Sequence, residues 1–138
     1  MKPLIIAILL YSSVYYPLAN ADALEQLLNE FAATEHSVVA ADLFSADKGK
    51  ALWTKSFVNN KQSQARSCAS CHTENLKAVG KHVKTRKPIE PLAPSVNNER
   101  LTDIKSINKW LLRNCKWTMG RECTAMEKGH LLTYIKTQ

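Results

Sequence analysis

The spacing of two cysteines and a histidine constrains this chain more than any other feature of its sequence. Cys68 and Cys71 are separated by two residues, and His72 follows directly. On a short helical turn, two intervening residues set the cysteines at the separation of the two vinyl groups of a haem, and the following histidine can bind the iron. The motif therefore predicts one covalent haem c, attached through two thioethers.

Two other chemistries use closely spaced cysteines, and the rest of the sequence argues against both. A thioredoxin-like dithiol requires a strand that leads into a helix within a βαβ pattern, and no such pattern is visible. A structural zinc ion requires four ligands, which Cys115 and Cys123 could complete, but zinc gives no reason for His72 to follow the pair. Haem attachment is therefore the favoured interpretation.

The first residues have the composition of a secretory signal peptide. Lys2 precedes an apolar run at residues 4–10, and Ala19-Asn20-Ala21 is a small-x-small cleavage site. An uncleaved membrane anchor is disfavoured, because the run is shorter than the roughly 20 residues that span a bilayer. We therefore expect a cleaved signal peptide at residues 1–21, a monohaem cytochrome c domain at residues 22–138 and a periplasmic location. In that oxidising compartment, a cysteine pair that haem does not use is expected to form a disulfide.

Hydrophobic spacing predicts an all-α fold. Leu24, Leu27, Leu28 and Phe31 follow the i, i+3, i+4, i+7 spacing of an amphipathic helix over residues 22–33. Three further helices are predicted from their capping residues: one from a Ser45 cap through Phe57, one from Thr102 or Asp103 to about Asn114, and one that opens on the Thr124–Glu127 capping box after a turn at Gly120.

A long segment between these helices has no helical or strand pattern. Pro88, Pro91 and Pro94 lie within residues 80–98, and each removes a backbone donor and disfavours helix before it. Three apolar residues in the same stretch indicate an ordered loop wrapped over a cofactor. We therefore expect a class-I-like cytochrome c fold, with short helices wrapped around one covalent haem.

The sixth iron ligand is the part of the site that the sequence leaves open. The loop at residues 80–103 contains no methionine, although many soluble cytochromes c take the ligand from that loop. The remaining candidates of ordinary ligand type are Met119, Met126, His36, His82 and His130. Of these, Met126 is expected to pack in the core, His82 to face water and His130 to lie on the exposed side of the last helix. Met119 lies next to Gly120 and could reach the iron.

Asn114 is a less usual candidate. It falls on the edge of the apolar stripe formed by Ile104, Ile107 and Leu111, where a buried amide requires a partner. Iron would be one partner, and the alternative is that Asn114 caps the C-terminal end of its helix. Spacing alone favours the cap.

From about Asp47 to its C terminus, the chain resembles the sphaeroides haem protein family of high-spin monohaem cytochromes c that bind diatomic ligands. The most specific match is Arg113-Asn114-Cys115, followed by Gly120-Arg121-Glu122-Cys123-Thr124. Shorter matches are Gly49 to Trp53, Cys68 to Thr73, Gly80 with Lys84-Thr85, Pro91 to Ser95, Arg100 to Asp103, and Trp110. One departure is Arg86, which stands where the family usually has glycine.

The resemblance implies a role for each matched site residue. Cys68 and Cys71 would carry the thioether links, His72 would be the proximal iron ligand and Asn114 the distal ligand in the ferric state. The two flanking cysteines, Cys115 and Cys123, would form the disulfide. An amide oxygen is a weak, hard donor, so it would release ferrous iron and open a site for O₂, NO or CO.

The expected function is one-electron redox with a labile sixth iron site, and ligand binding rather than a defined turnover. The alternative is a plain periplasmic electron carrier with Met119 or a histidine as sixth ligand. The formal net charge is +7, which suggests an acidic partner more than nucleic acid, and no nucleic-acid module is visible. We expect a monomer. The expected partner is an electron-donor cytochrome, dihaem or membrane-bound. A basic run lies beside the haem loop and is either solvated surface or a docking patch: Lys77, Lys81, Lys84, Arg86 and Lys87.

Overall fold

The structure is a computed structural model that describes residues 23–35, 43–58 and 64–138. Within these ranges the chain forms five helices and one two-stranded ribbon. They are α1 (Ala23–Thr34), α2 (Ala46–Thr54), α3 (Ala69–His72), β1 (Gly80–Lys81), β2 (Pro88–Ile89), α4 (Ile104–Met119) and α5 (Ala125–Lys136). The expected signal peptide and His36 lie outside the described residues.

Helix α1 forms because its apolar residues recur on one face, as the spacing predicted. Leu24, Leu27, Leu28 and Phe31 are all buried. They form a hydrophobic cluster with Phe44, Ile107 of α4 and Leu132 of α5. Helix α1 therefore packs against α4 and α5 and covers one side of the helical core.

Helix α2 begins where the sequence predicted and ends earlier. The Ser45 side chain accepts a hydrogen bond from the Lys48 amide at 3.3 Å, which caps the first turn. The helix ends at Thr54, so its predicted extension to Phe57 is wrong. Phe57 instead forms an isolated antiparallel bridge with Arg66, and two backbone hydrogen bonds of 2.8 and 2.9 Å fasten the segment that leads to Cys68.

Helices α2 and α5 cross closely because Gly49 lies at their contact. A Cβ atom at this position would come within 2.0 Å of the His130 carbonyl oxygen, which is backbone of α5 and cannot rotate away. The absence of a side chain therefore lets the two helix backbones approach. This crossing sets Trp53, at the end of α2, against Tyr134 of α5, with ring centroids 6.0 Å apart.

The proline-rich segment contains a short ribbon that the sequence did not indicate. Strands β1 and β2 pair antiparallel, with Gly80 opposite Ile89 and Lys81 opposite Pro88. Two-residue strands are too short to show the alternation of a half-buried strand, and Pro88 lacks a backbone donor. The loop that follows is ordered: the amides of Leu92 and Ala93 both donate to the Leu76 carbonyl oxygen, at 2.9 and 3.0 Å.

Helix α4 is one turn longer than the sequence indicated. Its cap is Asp103, whose carboxylate accepts the Ser106 amide at 2.7 Å. The helix continues past Asn114 to Met119 and ends at Gly120, which has a left-handed φ of 77°. The interpretation of Asn114 as a C-terminal cap is therefore wrong. Buried Cys115 and Thr118 continue the core face beyond Asn114 and keep this turn helical.

Helix α5 opens on the predicted capping box, in which the Glu127 amide donates to Thr124 Oγ1 and the Thr124 amide donates to the Glu127 carboxylate. The prediction that His130 lies on the exposed side of this helix is wrong. His130 is buried, and its Nδ1 accepts a hydrogen bond from the Ser45 amide at 3.1 Å. The cap of α2 thus supplies the donor that a buried imidazole needs.

None of the helices in the described parts of the chain is both long and apolar enough to cross a membrane.

Candidate functional site

Helix α3 is a single turn that carries the two thiols and the imidazole. The amides of Cys71 and His72 both donate to the Cys68 carbonyl oxygen, at 3.3 and 3.1 Å. The Cys68 and Cys71 thiols are not bonded to each other, and both residues are half-buried. The turn therefore presents two free thiols and one imidazole side by side, which is the arrangement that covalent haem attachment requires.

Strand β1 packs directly on the backbone of this turn. A Cβ atom at Gly80 would come within 2.3 Å of the Cys71 carbonyl oxygen and 3.0 Å of the His72 Cα atom. Only glycine allows this approach, so the ribbon fixes the position of α3. In the sequence, Gly80 stands out only as part of the resemblance, and no local pattern indicates this role.

His72 is held as a neutral imidazole. Burial, and secondarily the positive charge of Arg100, lower the pKa of His72 to about 4. Neutral imidazole is the form that binds iron through a ring nitrogen. The ring lies against Trp53, with centroids 5.6 Å apart.

The hydrogen bonding of one ring nitrogen of His72 indicates whether the site fits a haem. Nδ1 is buried and has no hydrogen-bond partner among the described residues. In the loop at residues 88–94, the Pro91 carbonyl oxygen accepts from Arg100 Nε at 2.8 Å and from Asn97 Nδ2 at 3.2 Å rather than from His72 Nδ1. A buried polar atom without a protein partner, beside two free thiols, fits a group that binds there.

The environment of Cys68 argues against a redox-active dithiol. Burial, chiefly, raises the pKa of the Cys68 thiol to about 11. Attacking cysteines of thiol–disulfide enzymes have a lowered pKa, because the thiolate is the nucleophile. The thioredoxin-like interpretation therefore finds no support in this structure.

The other two cysteines contact each other. Cys115, in the last turns of α4, is joined to Cys123, just before α5, and their Cα atoms lie 5.6 Å apart. Cysteines joined to each other cannot complete a zinc site with Cys68 and Cys71. Among the described residues there is no group of three or more His, Cys, Asp or Glu that could hold a metal ion.

Asn114 lies in the interior of α4, next to Cys115. The residue is exposed, so the expectation that its amide is buried is wrong. Its side-chain amide forms no hydrogen bond with another described residue. At 100° per residue it falls between the core face of Ile107 and the side that carries Trp110 and Trp117, as expected for the edge of the stripe. The thiols and His72 therefore lie on α3, and Asn114 lies on a different helix, α4.

The alternative ligands are engaged in other contacts. The Met119 sulfur lies 3.6 Å from the Cys123 sulfur, in the cluster that contains Trp53. Met126 packs against the α1 cluster, as expected. His82 accepts the Thr85 amide through Nδ1 at 3.1 Å, and its ring stacks on Trp117 with centroids 4.9 Å apart.

The basic run lies on the surface beside the β1–β2 ribbon. Its five members are exposed, and none forms an ion pair with another described residue. Lys84 alone has an aromatic contact, with its ammonium 5.8 Å from the Trp117 ring centroid. The run is therefore an uncompensated patch of positive charge.

Three residues with a structural role at the site were missed or undervalued from sequence: Trp53, Gly80 and Arg100. In the sequence, Trp53 stands out only as the end of the matched segment Gly49 to Trp53. Arg100 holds the loop by donating to the carbonyl oxygens of Pro91 and Glu90. No spacing signal links these residues to His72, since each comes from a different element.

Comparison with known proteins gives consistent matches. The family model described as a domain of unknown function, DUF1924, matches residues 39–135. Cytochrome c'' of Methylophilus methylotrophus is 34% identical over 126 residues, covering 89% of this chain and 85% of the relative. Cytochrome c-type protein SHP of Cereibacter sphaeroides is 39% identical over 93 residues, covering 67% and 70%. The structure of oxidized SHP, described as an oxygen-binding cytochrome c, superposes with a TM-score of 0.74 at 32% identity, covering 85% of this chain and 98% of SHP.

Proposed function

Because this chain belongs to the DUF1924 family and to the monohaem cytochromes c that include SHP and cytochrome c'', we propose that it performs one-electron redox at a haem with a labile sixth iron site. In the reduced state that site binds small ligands of the O₂ or NO type. Haem c is its cofactor, and its fold is that of a class-I-like cytochrome c. Bound haem supplies the one-electron couple and an iron that can take a small ligand.

The residues of α3 hold the haem in this proposal. Cys68 and Cys71 form the two thioether links, and His72 is the proximal iron ligand. The free, neighbouring thiols and the neutral imidazole support these roles. The buried Nδ1 of His72 supports them further. A buried polar atom without a hydrogen-bond partner is uncommon, and a bound cofactor would account for it.

The observation that carries the labile sixth site is the position of Asn114. The helix continues through this residue, so its side chain is not used as a cap, and its amide has no partner among the described residues. Cys115, the next residue, is joined to Cys123 near the start of α5. The backbone next to Asn114 is therefore anchored by the helix on one side and by this bridge on the other. A weak oxygen donor on a firmly held backbone can bind ferric iron and release ferrous iron without a large rearrangement.

Export and oxidation of the second cysteine pair belong to the same proposal. The protein is secreted to the periplasm after cleavage behind Ala21, and its Cys115–Cys123 disulfide forms there. In the chain-entropy model, a bridge that closes so short a loop contributes about 2–3 kcal/mol to stability. N-terminal sequencing of the purified protein and the mass of the unreduced peptide test the two points.

The competing function is plain electron transfer, with Met119 or a histidine as a permanent sixth ligand. The packing of Met119 against the Cys115–Cys123 pair disfavours it, because ligation would require the sulfur to leave that contact. His82 and His130 each use Nδ1 as an acceptor, which fixes their rings towards the Thr85 and Ser45 amides.

Substitution of Asn114 by Val separates these two functions. The change removes the oxygen donor and adds little volume, so the ferric sixth coordination should be lost while the ferrous protein still binds CO. Electronic and magnetic circular dichroism spectra of both oxidation states report the spin state directly. Met119→Leu is the matched control and should leave the ferric spectrum of the parent unchanged. A low-spin ferrous spectrum with a Met–iron charge-transfer band in the ferric parent would assign the ligand to Met119 and overturn the proposal.

A further inference from the structure

The peptide that follows His72 has a backbone conformation that side chains disfavour. Thr73 has φ 64° and ψ 171°, a region populated almost only by glycine. A β-branched residue persists there only where its neighbours enforce the conformation. The contacts of Thr73 therefore identify what fixes the backbone at the iron-binding histidine.

Two of these contacts are local and one comes from another helix. The Thr73 amide donates to the Ala69 carbonyl oxygen at 2.9 Å, and its hydroxyl donates to the Asn75 carbonyl oxygen at 2.7 Å. The third reaches across from α2, where Trp53 Nε1 donates to the Thr73 carbonyl oxygen at 2.8 Å. Trp53 is 3% exposed, so water does not readily replace its indole N–H as the donor.

The same indole also contacts the His72 ring. The two ring centroids lie 5.6 Å apart at an interplanar angle of 45°. Trp53 is itself fixed by Tyr134 of α5, and Gly80 of β1 packs on the Cys71 carbonyl oxygen. The backbone of His72 is therefore confined by α2 through Trp53 and by the ribbon through Gly80.

We propose that Trp53 is a positioning residue that fixes the orientation of the His72 imidazole towards the haem iron, through its hydrogen bond to the Thr73 carbonyl oxygen and its contact with the His72 ring. The inference rests on the proposed role of His72 as proximal ligand. An imidazole held at one tilt gives the iron one coordination geometry. It also resists the shift towards the haem that accompanies ligand binding on the opposite face, so Trp53 lowers the ferrous affinity for diatomic ligands.

The test replaces Trp53 by Phe in the haem-loaded protein, which keeps an aromatic ring and removes the N–H donor. The iron–histidine stretching band of the ferrous protein, measured by resonance Raman spectroscopy, should broaden. The CO affinity should rise about fivefold, which corresponds to the roughly 1 kcal/mol of one hydrogen bond. Benzothienylalanine at position 53 keeps both rings and lacks only the donor, and it should shift both measurements in the same direction if the Phe variant folds poorly.

Phe44→Leu is the control for lost packing. Phe44 is a buried aromatic that contacts the His130 ring, with centroids 6.0 Å apart. This variant should be less stable than the parent yet keep its Raman band width and CO affinity. If Trp53→Phe also loses only stability, Trp53 is an ordinary core residue and the inference is wrong. The ferric spectrum assigned to Asn114 should survive in Trp53→Phe, so a failure here is distinguishable from a failure of the proposed sixth ligand.

Discussion

At the scale of single residues, the backbone of Arg86 has a conformation that suits the glycine usual at this position in the family. Arg86 has φ 60° in the turn that joins β1 to β2, where its amide donates to the His82 carbonyl oxygen at 2.9 Å. A left-handed conformation brings Cβ close to the following carbonyl oxygen, and glycine avoids that contact. The turn therefore keeps the shape that glycine suits, although the residue is arginine.

Arg86→Gly should accordingly raise the free energy of unfolding. The left-handed conformation costs a non-glycine residue about 1–2 kcal/mol, and the greater freedom of glycine in the unfolded chain offsets part of it. We expect a net gain of about 0.5–1 kcal/mol by urea unfolding of the holoprotein. Arg86→Lys keeps the backbone penalty and should match the parent. A glycine variant no more stable than the lysine variant would contradict this account.

The buried His130 gives the fold a pH dependence. Burial, and secondarily the charge of Lys48, lower the pKa of His130 in the folded protein. The unfolded chain therefore binds a proton at this position at higher pH than the folded chain does. The contribution of His130 to stability is complete above the pKa of an unfolded histidine, about 6.5, and is lost as the pH falls from there through the lowered folded pKa.

His130→Asn should remove that pH dependence. The asparagine carbonyl oxygen can replace Nδ1 as acceptor for the Ser45 amide but does not titrate in this range. We expect the parent to lose stability between pH 7 and pH 5 more steeply than the variant, measured by urea unfolding at fixed ionic strength. Equal slopes in the two proteins would show that His130 is not the titrating group.

At the scale of elements, the crossing of α2 and α5 depends on one missing side chain. Gly49→Ala places a methyl group against the backbone of His130, which cannot move aside without separating the helices. We expect a loss of about 1–3 kcal/mol, typical of an overpacked core, by urea unfolding of the holoprotein. Ala51→Ser adds an atom on an exposed position of the same helix and should cost less than about 1 kcal/mol. Similar losses in both variants would indicate a general effect on helix α2.

The helix starts could be predicted from sequence because their caps are local. Ser45, Asp103 and Thr124 each accept a backbone amide within their own first turn. The end of α4 and the β1–β2 ribbon could not be predicted, because they depend on contacts between elements. Cys115 continues the helix because it is buried beside Cys123, and Gly80 pairs with Ile89 because β1 must lie on α3.

The same distinction applies to the site. The three residues of the Cys68-to-His72 motif lie within five positions of the sequence, so a haem role could be proposed for them from spacing alone. Trp53 reaches Thr73 across 20 residues, and Arg100 reaches Pro91 across nine, so neither could be assigned from a local pattern. The orientation of His130 was predicted wrongly because its partner, the Ser45 amide, lies 85 residues away.

At the scale of the whole molecule, charge is the feature that points to a partner. The formal net charge is +7, and the exposed basic run contributes cations that no described acidic side chain neutralises. An acidic surface on an electron-donor cytochrome, dihaem or membrane-bound, would be drawn to this patch. We propose that the run steers the donor to the side of the molecule that carries the ribbon.

Neutralising the run should slow electron entry. A triple variant should lower the second-order rate constant for reduction by the donor; it carries Lys81→Gln, Lys84→Gln and Lys87→Gln. The rate should also depend less on salt, because screening acts over about 10 Å at 0.1 M ionic strength. Stopped-flow absorbance at several salt concentrations measures both. Lys50→Gln with Lys105→Gln removes exposed charges elsewhere and should preserve the salt dependence. A parent rate that does not vary with salt would leave the run as solvated surface.

The close fit of Gly80 on α3 has a consequence for the biogenesis of the protein. Once β1 lies on the carbonyl oxygen of Cys71, the one-turn helix is confined and both cysteines are half-buried. Under the proposed attachment, an enzyme that joins haem to these half-buried thiols would reach them more readily before the ribbon closes. Maturation would then be ordered in time, and mutations that speed closure of the ribbon would lower the yield of holoprotein without altering the finished molecule.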